Sequence, residues 1–389
     1  MKTGKRSTGL LLATTMLIMV LSGCGSKNIE ISSNEVKLLS GTDQEEVDTL
    51  RELVVSKSEK AVALVEGKNG KWVVAEAKEN KDTKTSKAYP EIGEVLYGQN
   101  KLVFSAKNEF DKWIIVEDFV EKENEYNRIF DLTLDKDDGV YFVGERNNKD
   151  FIVKDYIEQS SYDQIMGLAV SKNGNYVCSI LKAGGEWTVV DETGKDQGVF
   201  TYVTEPKYFE NGSWAVIARE GEYAWISIIN GEKNPLFQNP AEVSYFTLNK
   251  DNGLSYVFMK ENGKWALVYP STERSQEYNA IKEPVYDAEG EVIYIDLPRY
   301  EGRLYEIRTG RRETVLIEGL YDTKYLNIIG DNIAYSTKTK GGNWEVRIGD
   351  KEVGSYKNTS AFHIQNNKLV FAAESKEEGN IYYVEASID

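Results

Sequence analysis

Residues suited to catalysis or metal binding are scarce in this chain. Of 389 residues, one is a His and two are Cys, while Asp and Glu together number 63. A Ser-His-Asp triad would need His363, which we expect to lie on the innermost strand of the last repeat of the chain. Carboxylate chemistry needs two acids across a cleft, and the sequence singles out no such pair. We therefore expect no enzyme and no cofactor, and we assign no catalytic, cofactor-binding or metal-binding residue.

The first 24 residues have the composition of an export signal. A basic segment, residues 2–6, precedes the uncharged stretch Leu10–Leu21, which is too short for a comfortable membrane-spanning helix. It ends in Leu21-Ser22-Gly23-Cys24, which resembles a bacterial lipobox. The resemblance implies a signal peptide over 1–23, a lipidated tether over 24–34, and a protein held at the extracytoplasmic side of the bacterial cell membrane by acyl chains on Cys24. An ordinary signal peptide that happens to hold a Cys is the alternative.

The charge balance bears on the partners of the chain. The formal net charge is −16, and loss of the three basic residues of the signal would make it about −19. This argues against nucleic acid or anionic lipid headgroups as a bound ligand. With Cys24 acylated, Cys178 has no partner for an internal disulfide, and we interpret it as a small buried apolar residue of a strand.

A repeat of about 39 residues organises the rest of the chain. One apolar or aromatic position, which we call the anchor, recurs in every repeat. Successive anchors are separated by 41, 38, 36, 38, 40, 39, 40 and 37 residues. Six of the seven Trp residues occupy this position, and we expect them to be buried. The anchors are Trp72, Trp113, Phe151, Trp187, Trp225, Trp265, Leu304, Trp344 and Ile381.

Short apolar runs surround each anchor and predict strands. The runs are rich in β-branched and aromatic residues, and several lack polar alternation, so both faces should be buried. Gly and Asn punctuate the connections between them. Thirty-nine residues hold four short strands and their turns, so the sequence predicts an all-β fold, a β-propeller of four-stranded antiparallel blades over residues 35–389.

Two connections, Asp135–Gly139 and Asn249–Gly253, look like the opening of a calcium loop. They recur at one place in the repeat, and no Glu closes a loop of the calcium-binding length. We interpret them as tight turns between the first and second strands.

The repeats resemble the TolB-type propeller repeats of bacteria, which carry an Asp/Asn-Gly turn before an apolar strand. A motif such as Phe209-Glu-Asn-Gly-Ser-Trp-Ala-Val-Ile is also similar to Trp-Gly repeats. The resemblance covers roughly residues 50 to 389 and departs at the Trp-Gly step, since Val, Ile, Thr, Ala or Glu follows Trp in this chain. It implies architecture only.

The number of blades is eight or nine. Nine hairpins are visible, and the last one, ending near Glu385, leaves no room for its outermost strand. The segment Val36–Leu39 could fill that place and close the ring. The stretch Thr42–Leu53 carries a capping-box pattern and apolar i, i+3 spacing, which indicate a short helix.

Three classes of function compete for such a fold. The first is a non-catalytic scaffold that binds a protein or peptide, which we favour because no catalytic constellation is visible. One alternative is a glycan or cell-wall module, which either only binds its ligand or acts as a carboxylate-based hydrolase or lyase. The other alternative is a small-ligand or metal site in the central channel. Tyr residues outside the apolar runs are candidate ligand-binding aromatics: Tyr126, Tyr162, Tyr202, Tyr278, Tyr300 and Tyr321.

Overall fold

The computed structural model describes residues 31–39, 49–68, 70–182, 184–236, 241–270, 274–287, 289–297, 305–310, 314–376 and 380–388. Within these ranges the secondary structure is β-strand, and the strands form nine antiparallel sheets. We number these sheets as blades 1 to 9. The predicted β-propeller is confirmed, and the number of blades is nine.

Within the described ranges, each blade holds three to five strands. Blade 1 comprises β2 (Thr49–Val55), β3 (Ala61–Lys68), β4 (Lys71–Lys78) and β5 (Lys84–Thr85). Blade 2 comprises β6 (Glu91–Tyr97), β7 (Leu102–Lys107), β8 (Trp113–Glu117) and β9 (Val120–Glu121). Blade 3 comprises β10 (Arg128–Leu134), β11 (Val140–Arg146), β12 (Lys149–Lys154) and β13 (Ile157–Tyr162). Blade 4 comprises β14 (Gln164–Val170), β15 (Tyr176–Leu181) and β16 (Trp187–Asp191). Blade 5 comprises β17 (Tyr202–Val203), β18 (Lys207–Tyr208), β19 (Trp214–Glu220), β20 (Ala224–Ile229) and β21 (Glu232–Pro235). Blade 6 comprises β22 (Glu242–Leu248), β23 (Leu254–Met259) and β24 (Trp265–Val268). Blade 7 comprises β25 (Ile281–Tyr286), β26 (Val292–Asp296), β27 (Tyr305–Thr309) and β28 (Thr314–Leu320). Blade 8 comprises β29 (Thr323–Ile329), β30 (Asn332–Lys338), β31 (Trp344–Ile348) and β32 (Lys351–Tyr356). Blade 9 comprises β33 (Asn358–Thr359), β34 (His363–Gln365), β35 (Lys368–Glu374) and β36 (Ile381–Ile388), together with β1 (Ile31–Leu39).

The ring is closed by the first strand of the chain. β1 pairs antiparallel with β36, from Ile31 opposite Ile388 to Leu39 opposite Ile381, and becomes the outermost strand of blade 9. The hydroxyl of Tyr356 in blade 8 donates to Glu35 Oε1 at 2.6 Å. The predicted closing role of Val36–Leu39 is confirmed. The closing strand begins at Ile31, inside the segment expected to be tether.

The cores of the described part lie between blades. Nine clusters of buried apolar residues are present, one at each of the nine interfaces between neighbouring blades. The cluster between blades 9 and 1 contains Val370, Tyr383, Leu64 and Val62, so the last blade packs on the first. Each fully buried side chain of this size contributes about 1.5–3 kcal/mol to stability.

Strand alternation gives the ring two faces. Connections from the first to the second strand and from the third to the fourth lie on one side, which we call the turn face. Hairpins from the second to the third strand, together with the crossings to the next blade, lie on the other, which we call the hairpin face. Gly70, Gly263 and Gly342 adopt positive φ angles of 71°, 74° and 85° in these hairpins, as their turns require.

The predicted short helix over Thr42–Leu53 is wrong where it can be compared. Residues 42–48 lie outside the described residues, and Thr49–Leu53 belongs to β2. The pairing of β2 with β3 shifts register between Leu50 and Glu52. This bulge adds one residue, so Leu50 and Leu53 both reach one apolar cluster. A strand with a bulge thereby acquires the i, i+3 apolar spacing of a helix.

Candidate functional site

The innermost strand of each blade lines the central channel, and most of these strands are bulged. Seven of them shift register against the second strand of their blade, namely β2, β6, β10, β14, β22, β25 and β29. In blades 5 and 9 the innermost strand is instead split in two. Such bulges break the two-residue alternation of a strand and leave backbone groups unpaired.

Charged side chains at the bulges bond to the next blade. Arg51 Nη1 and Nη2 donate to the carbonyls of Ile92 and Gly93, at 2.6 and 2.9 Å. In blade 2, Glu94 Oε2 accepts from the Leu132 backbone N–H of blade 3 at 2.7 Å. In the same way, the backbone N–H of Leu168 in blade 4 donates to Asp131 of blade 3, with 2.8 Å between the nitrogen and Oδ2. These side chains join neighbouring blades around the channel.

The channel carboxylates are hard to ionise. Burial raises the pKa of Glu52 and of Glu94 above the usual value. Burial also raises the pKa of Asp131 to about 6, and the charges of Glu205 and Glu94 add to that effect. Asp131 adopts a φ of 53° at its bulge. Burial therefore makes these three carboxylates harder to ionise than exposed carboxylates.

A cavity of about 470 Å³ lies in the channel between the innermost strands of blades 1, 2, 3, 8 and 9. Volumes of this size are typical of small-molecule sites. Apolar residues of blades 1, 2 and 3 form one wall. The polar lining includes Arg51, Glu52, Lys57, Lys324, Thr359 and His363.

Lys324 is held between aromatic rings. Its Nζ lies 4.1 Å from the centroid of Trp344 and 4.5 Å from that of Tyr325. Burial lowers the pKa of Lys324 to about 8, and the charge of Lys338 acts in the same direction. The ammonium is therefore still mostly charged at neutral pH, and Lys324 is one of the residues that line the cavity.

His363 lies on β34, an innermost strand of the last blade, as expected from sequence, and it lines the same cavity. Burial lowers the pKa of His363, and the charge of Lys57 lowers it further. The imidazole is therefore neutral at neutral pH. Within the described residues, no group of three or more His, Cys, Asp or Glu is arranged to hold a metal ion.

The two calcium-like segments are turns, as expected. Asp135 Oδ1 accepts from the backbone N–H groups of Asp137 and Gly139, at 2.9 and 2.8 Å. Asn249 Oδ1 accepts from Asp251 and Gly253 in the same way, at 2.9 and 2.6 Å. The side-chain oxygen at the first position of each segment thus closes the loop on its own backbone, which is the Asx-turn geometry.

The candidate ligand-binding tyrosines divide into core and surface. Tyr126 and Tyr278 are buried, at 1% and 2% exposure, so their interpretation as ligand-binding residues is wrong. Tyr162 and Tyr202 are half-buried, Tyr321 is 44% exposed, and Tyr300 lies outside the described residues.

The buried tyrosines belong to a feature that sequence reasoning missed. In four blades, an aromatic residue in the segment that follows the third strand exchanges two backbone hydrogen bonds with the anchor Trp. The pairs are Trp72 with Tyr89, Trp113 with Tyr126, Trp187 with Phe200, and Trp265 with Tyr278. The available signal was an aromatic 13 residues after three of these Trp residues.

The anchor Trp residues are less buried than expected. Only Trp225, at 6% exposure, is buried, and the other five are half-buried. They stand at the hairpin-face end of the third strands, where cationic side chains cover three of those five rings. Arg51 lies over Trp72 at 5.2 Å, Lys107 over Trp113 at 5.9 Å, and Lys324 over Trp344.

The remaining sequence predictions concern the cysteines and the membrane. Cys178 is buried in β15, as expected. The predicted signal peptide and Cys24 lie outside the described residues. In the part of the chain that the structure describes, no helix has the length and apolar character to cross a membrane.

The acids of the channel were also missed. Glu52, Glu94 and Asp131 stand at bulges of consecutive blades, 42 and 37 residues apart, with Glu205 two repeats further. The recurrence of an acidic residue at one position of the repeat could have identified these channel carboxylates from the sequence.

Comparison with known proteins shows the fold and no family. No family model matches the chain, and no curated protein matches it. A eukaryotic initiation factor structure is similar with a TM-score of 0.52 at 9% identity, over 93% of this chain and 98% of that one. BamB from Moraxella catarrhalis gives 0.39 at 12% identity, over 91% and 97%. Virginiamycin B lyase from Staphylococcus aureus gives 0.35 at 15%, over 92% and 99%.

Proposed function

We propose that this chain is a lipid-anchored, extracytoplasmic β-propeller that binds a protein partner through its hairpin face and catalyses no reaction. The observation that carries the proposal is the position of the exposed aromatic side chains, since the exposed aliphatic residues Val120, Ile157 and Ile364 lie at turns of the turn face. Phe110 and Tyr223 occupy hairpin tips and are 73% and 70% exposed, and Val199 and Tyr321 lie in crossings on the same face. Exposed aromatics of this kind are typical anchors of protein interfaces.

The turn face is occupied with its own hydrogen bonds. Asp138 Oδ1 and Oδ2 accept from the backbone N–H groups of Gln99 and Asn100, at 2.7 and 2.8 Å, and so join the turns of blades 2 and 3. Asn211 Nδ2 donates to Asn249 O at 3.2 Å and joins blades 5 and 6. Polar groups that are satisfied within the molecule offer little to a partner.

The position of the anchor supports the same choice of face. β1 runs antiparallel to β36, so its first residue, Ile31, lies at the turn-face end of blade 9. An acyl group on Cys24 would be separated from Ile31 by seven residues, which span at most about 25 Å. The turn face would then lie towards the membrane, and the hairpin face would point away from it.

Charge indicates the partner's chemistry. With a formal net charge of −16, the propeller repels acidic surfaces at long range and attracts basic ones. We infer that the partner's contact surface combines apolar side chains with Lys or Arg.

Site-specific photocrosslinking in cells tests the proposal. A benzophenone amino acid replaces Phe110, Tyr223 or Tyr321 on the hairpin face, and Asp137, Asn173 or Asn252 on the turn face serve as matched controls. We expect one common crosslinked protein from the hairpin-face positions, lost when Phe110→Ser and Tyr223→Ser are combined. Crosslinks from the turn face alone, or equal patterns from both faces, would contradict the proposal.

A further inference from the structure

The channel cavity differs in charge from the molecule around it. The chain as a whole is strongly acidic, yet Arg51, Lys57 and Lys324 outnumber Glu52 among the charged lining residues. The guanidinium of Arg51 bonds to carbonyls of blade 2 and lies 3.7 Å from Glu52 Oε2. Lys57 and Lys324 therefore supply the positive charge that a ligand would meet.

A buried hydroxyl group belongs to the same cavity lining as Lys324. Thr359 is 3% exposed, and within the described part of the chain its Oγ1 has no hydrogen-bond partner. Burying such a group unpaired costs about 1–3 kcal/mol. Thr359 pairs with Ala373, which belongs to the apolar cluster between blades 8 and 9, so the Thr359 side chain lies on the side of blade 9 that packs against blade 8.

The rest of the lining limits what could bind. Val54, Leu96 and Leu134 form an apolar wall, which suits a ligand with an apolar body. Glu52 in the same lining disfavours a doubly charged anion such as phosphate. A carboxylate carries one charge and accepts hydrogen bonds from both an ammonium and a hydroxyl group.

We propose that the channel cavity binds a carboxylate-bearing ligand with an apolar body, its carboxylate held by Lys324 and the hydroxyl group of Thr359. Lys57 adds attraction along the channel. The same chemistry is offered by a free organic acid and by the C-terminal carboxylate of a peptide. The cavity lies within the channel, whereas the proposed docking residues Phe110 and Tyr223 lie at hairpin tips, so this inference goes beyond the proposed docking of a protein.

Calorimetric titration of the full-length protein in detergent tests the site. The probes are hexanoate, an acetylated Leu-Leu-Ala peptide with a free carboxylate, the same peptide amidated, and inorganic phosphate. We expect the free-acid peptide to bind at least tenfold more tightly than the amide. Binding of hexanoate as well would indicate an organic acid site, and binding of the peptide alone a peptide C-terminus.

Variants separate recognition from packing. Lys324→Gln should weaken binding of the free-acid probes at least tenfold, Lys324→Arg should recover most of it, and Thr359→Val should weaken it several-fold. Lys136→Gln, an exposed turn lysine paired with Asp137 at 2.6 Å, is the control and should bind as the parent does. Each variant is first shown to be folded by circular dichroism.

Several results would overturn the site. These are no binding of any probe at millimolar concentration, equal binding of acid and amide peptides, binding of phosphate alone, or a folded Lys324→Gln that binds like Lys136→Gln. Phe110→Ser and Tyr223→Ser should leave probe binding unchanged. Absence of hairpin-face crosslinks in the parent protein, with intact probe binding, would therefore refute the docking proposal alone, and the reverse result would refute the carboxylate site alone.

Discussion

At the residue scale, the channel carboxylates join neighbouring blades although burial disfavours their ionised form. Asp131 accepts a hydrogen bond from blade 4, yet its pKa is raised from its ordinary value of 3.8 to about 6 by burial and by Glu205 and Glu94, against the opposing charge of Arg128. Because the folded state holds the proton more tightly than the unfolded chain does, ionisation of Asp131 opposes folding. Its contribution is most favourable below about pH 4 and is lost as the pH rises through about 6.

Asp131→Asn should therefore be more stable than the parent at pH 7.5, by about 1 kcal/mol after allowance for solvent screening. The amide oxygen can still accept the hydrogen bond from the Leu168 backbone. The difference should become small near pH 4, where Asp131 is protonated in the folded state and about half protonated in the unfolded chain. Chemical denaturation at the two pH values measures this. Asp137→Asn, on an exposed turn, is the matched control substitution, and an Asp131→Asn variant with the parent's pH profile would contradict a buried Asp131 whose ionisation opposes folding.

The cavity residues show why sequence reasoning stopped short of a site. His363 could be located on an innermost strand because its place in the repeat is readable. The placement of Lys324 and Thr359 in one cavity lining depends on the packing of blade 8 against blade 9 and on the bulge between Lys324 and Asn327. One-dimensional spacing does not reveal such a bulge.

At the element scale, the repeat predicted where the strands lie, but it did not predict the bulges of the innermost strands. Hairpins and turns are determined by local Gly, Asn and Asp chemistry, and these predictions are confirmed. The innermost strands are bulged, and this gave Thr49–Leu53 the appearance of a helix. The anchor Trp position was recognised, but its burial depends on how far each ring extends past the end of its sheet.

The anchor Trp residues should differ in their contribution to stability. Trp225 is buried, with the Tyr202 ring edge-on at 5.5 Å and Arg219 at 5.6 Å. Trp225→Ala should lower the free energy of unfolding by about 3–5 kcal/mol. Trp265→Ala removes a half-buried ring and should cost about 1–3 kcal/mol. Urea denaturation followed by circular dichroism compares the two, and a larger loss for Trp265→Ala would contradict this difference in burial.

At the scale of the whole molecule, one strand closes the ring and, in the proposed lipid-anchored state, would set its orientation to the membrane. β1 completes blade 9, and the same strand leads back towards Cys24. The ring, its closure and its nine repeats could be predicted because the repeat spacing encodes them. The faces could not be ranked from sequence, since exposure of Phe110 and Tyr223 depends on which side chains the finished ring leaves uncovered.

The measurement that tests the anchored, outward-facing propeller most directly is energy transfer from the protein to an acceptor-labelled bilayer. The lipidated protein is placed in vesicles with a donor on Asp137→Cys of the turn face or on Asn262→Cys of the hairpin face. Native Cys178 is buried and should not label. Strands of about seven residues separate the faces by roughly 20–25 Å, so transfer from Asp137→Cys should be clearly stronger, and Cys24→Ala should abolish vesicle binding. Equal or reversed transfer, or a Cys24→Ala protein that still binds vesicles, would contradict a lipid-anchored ring with its hairpin face directed outward.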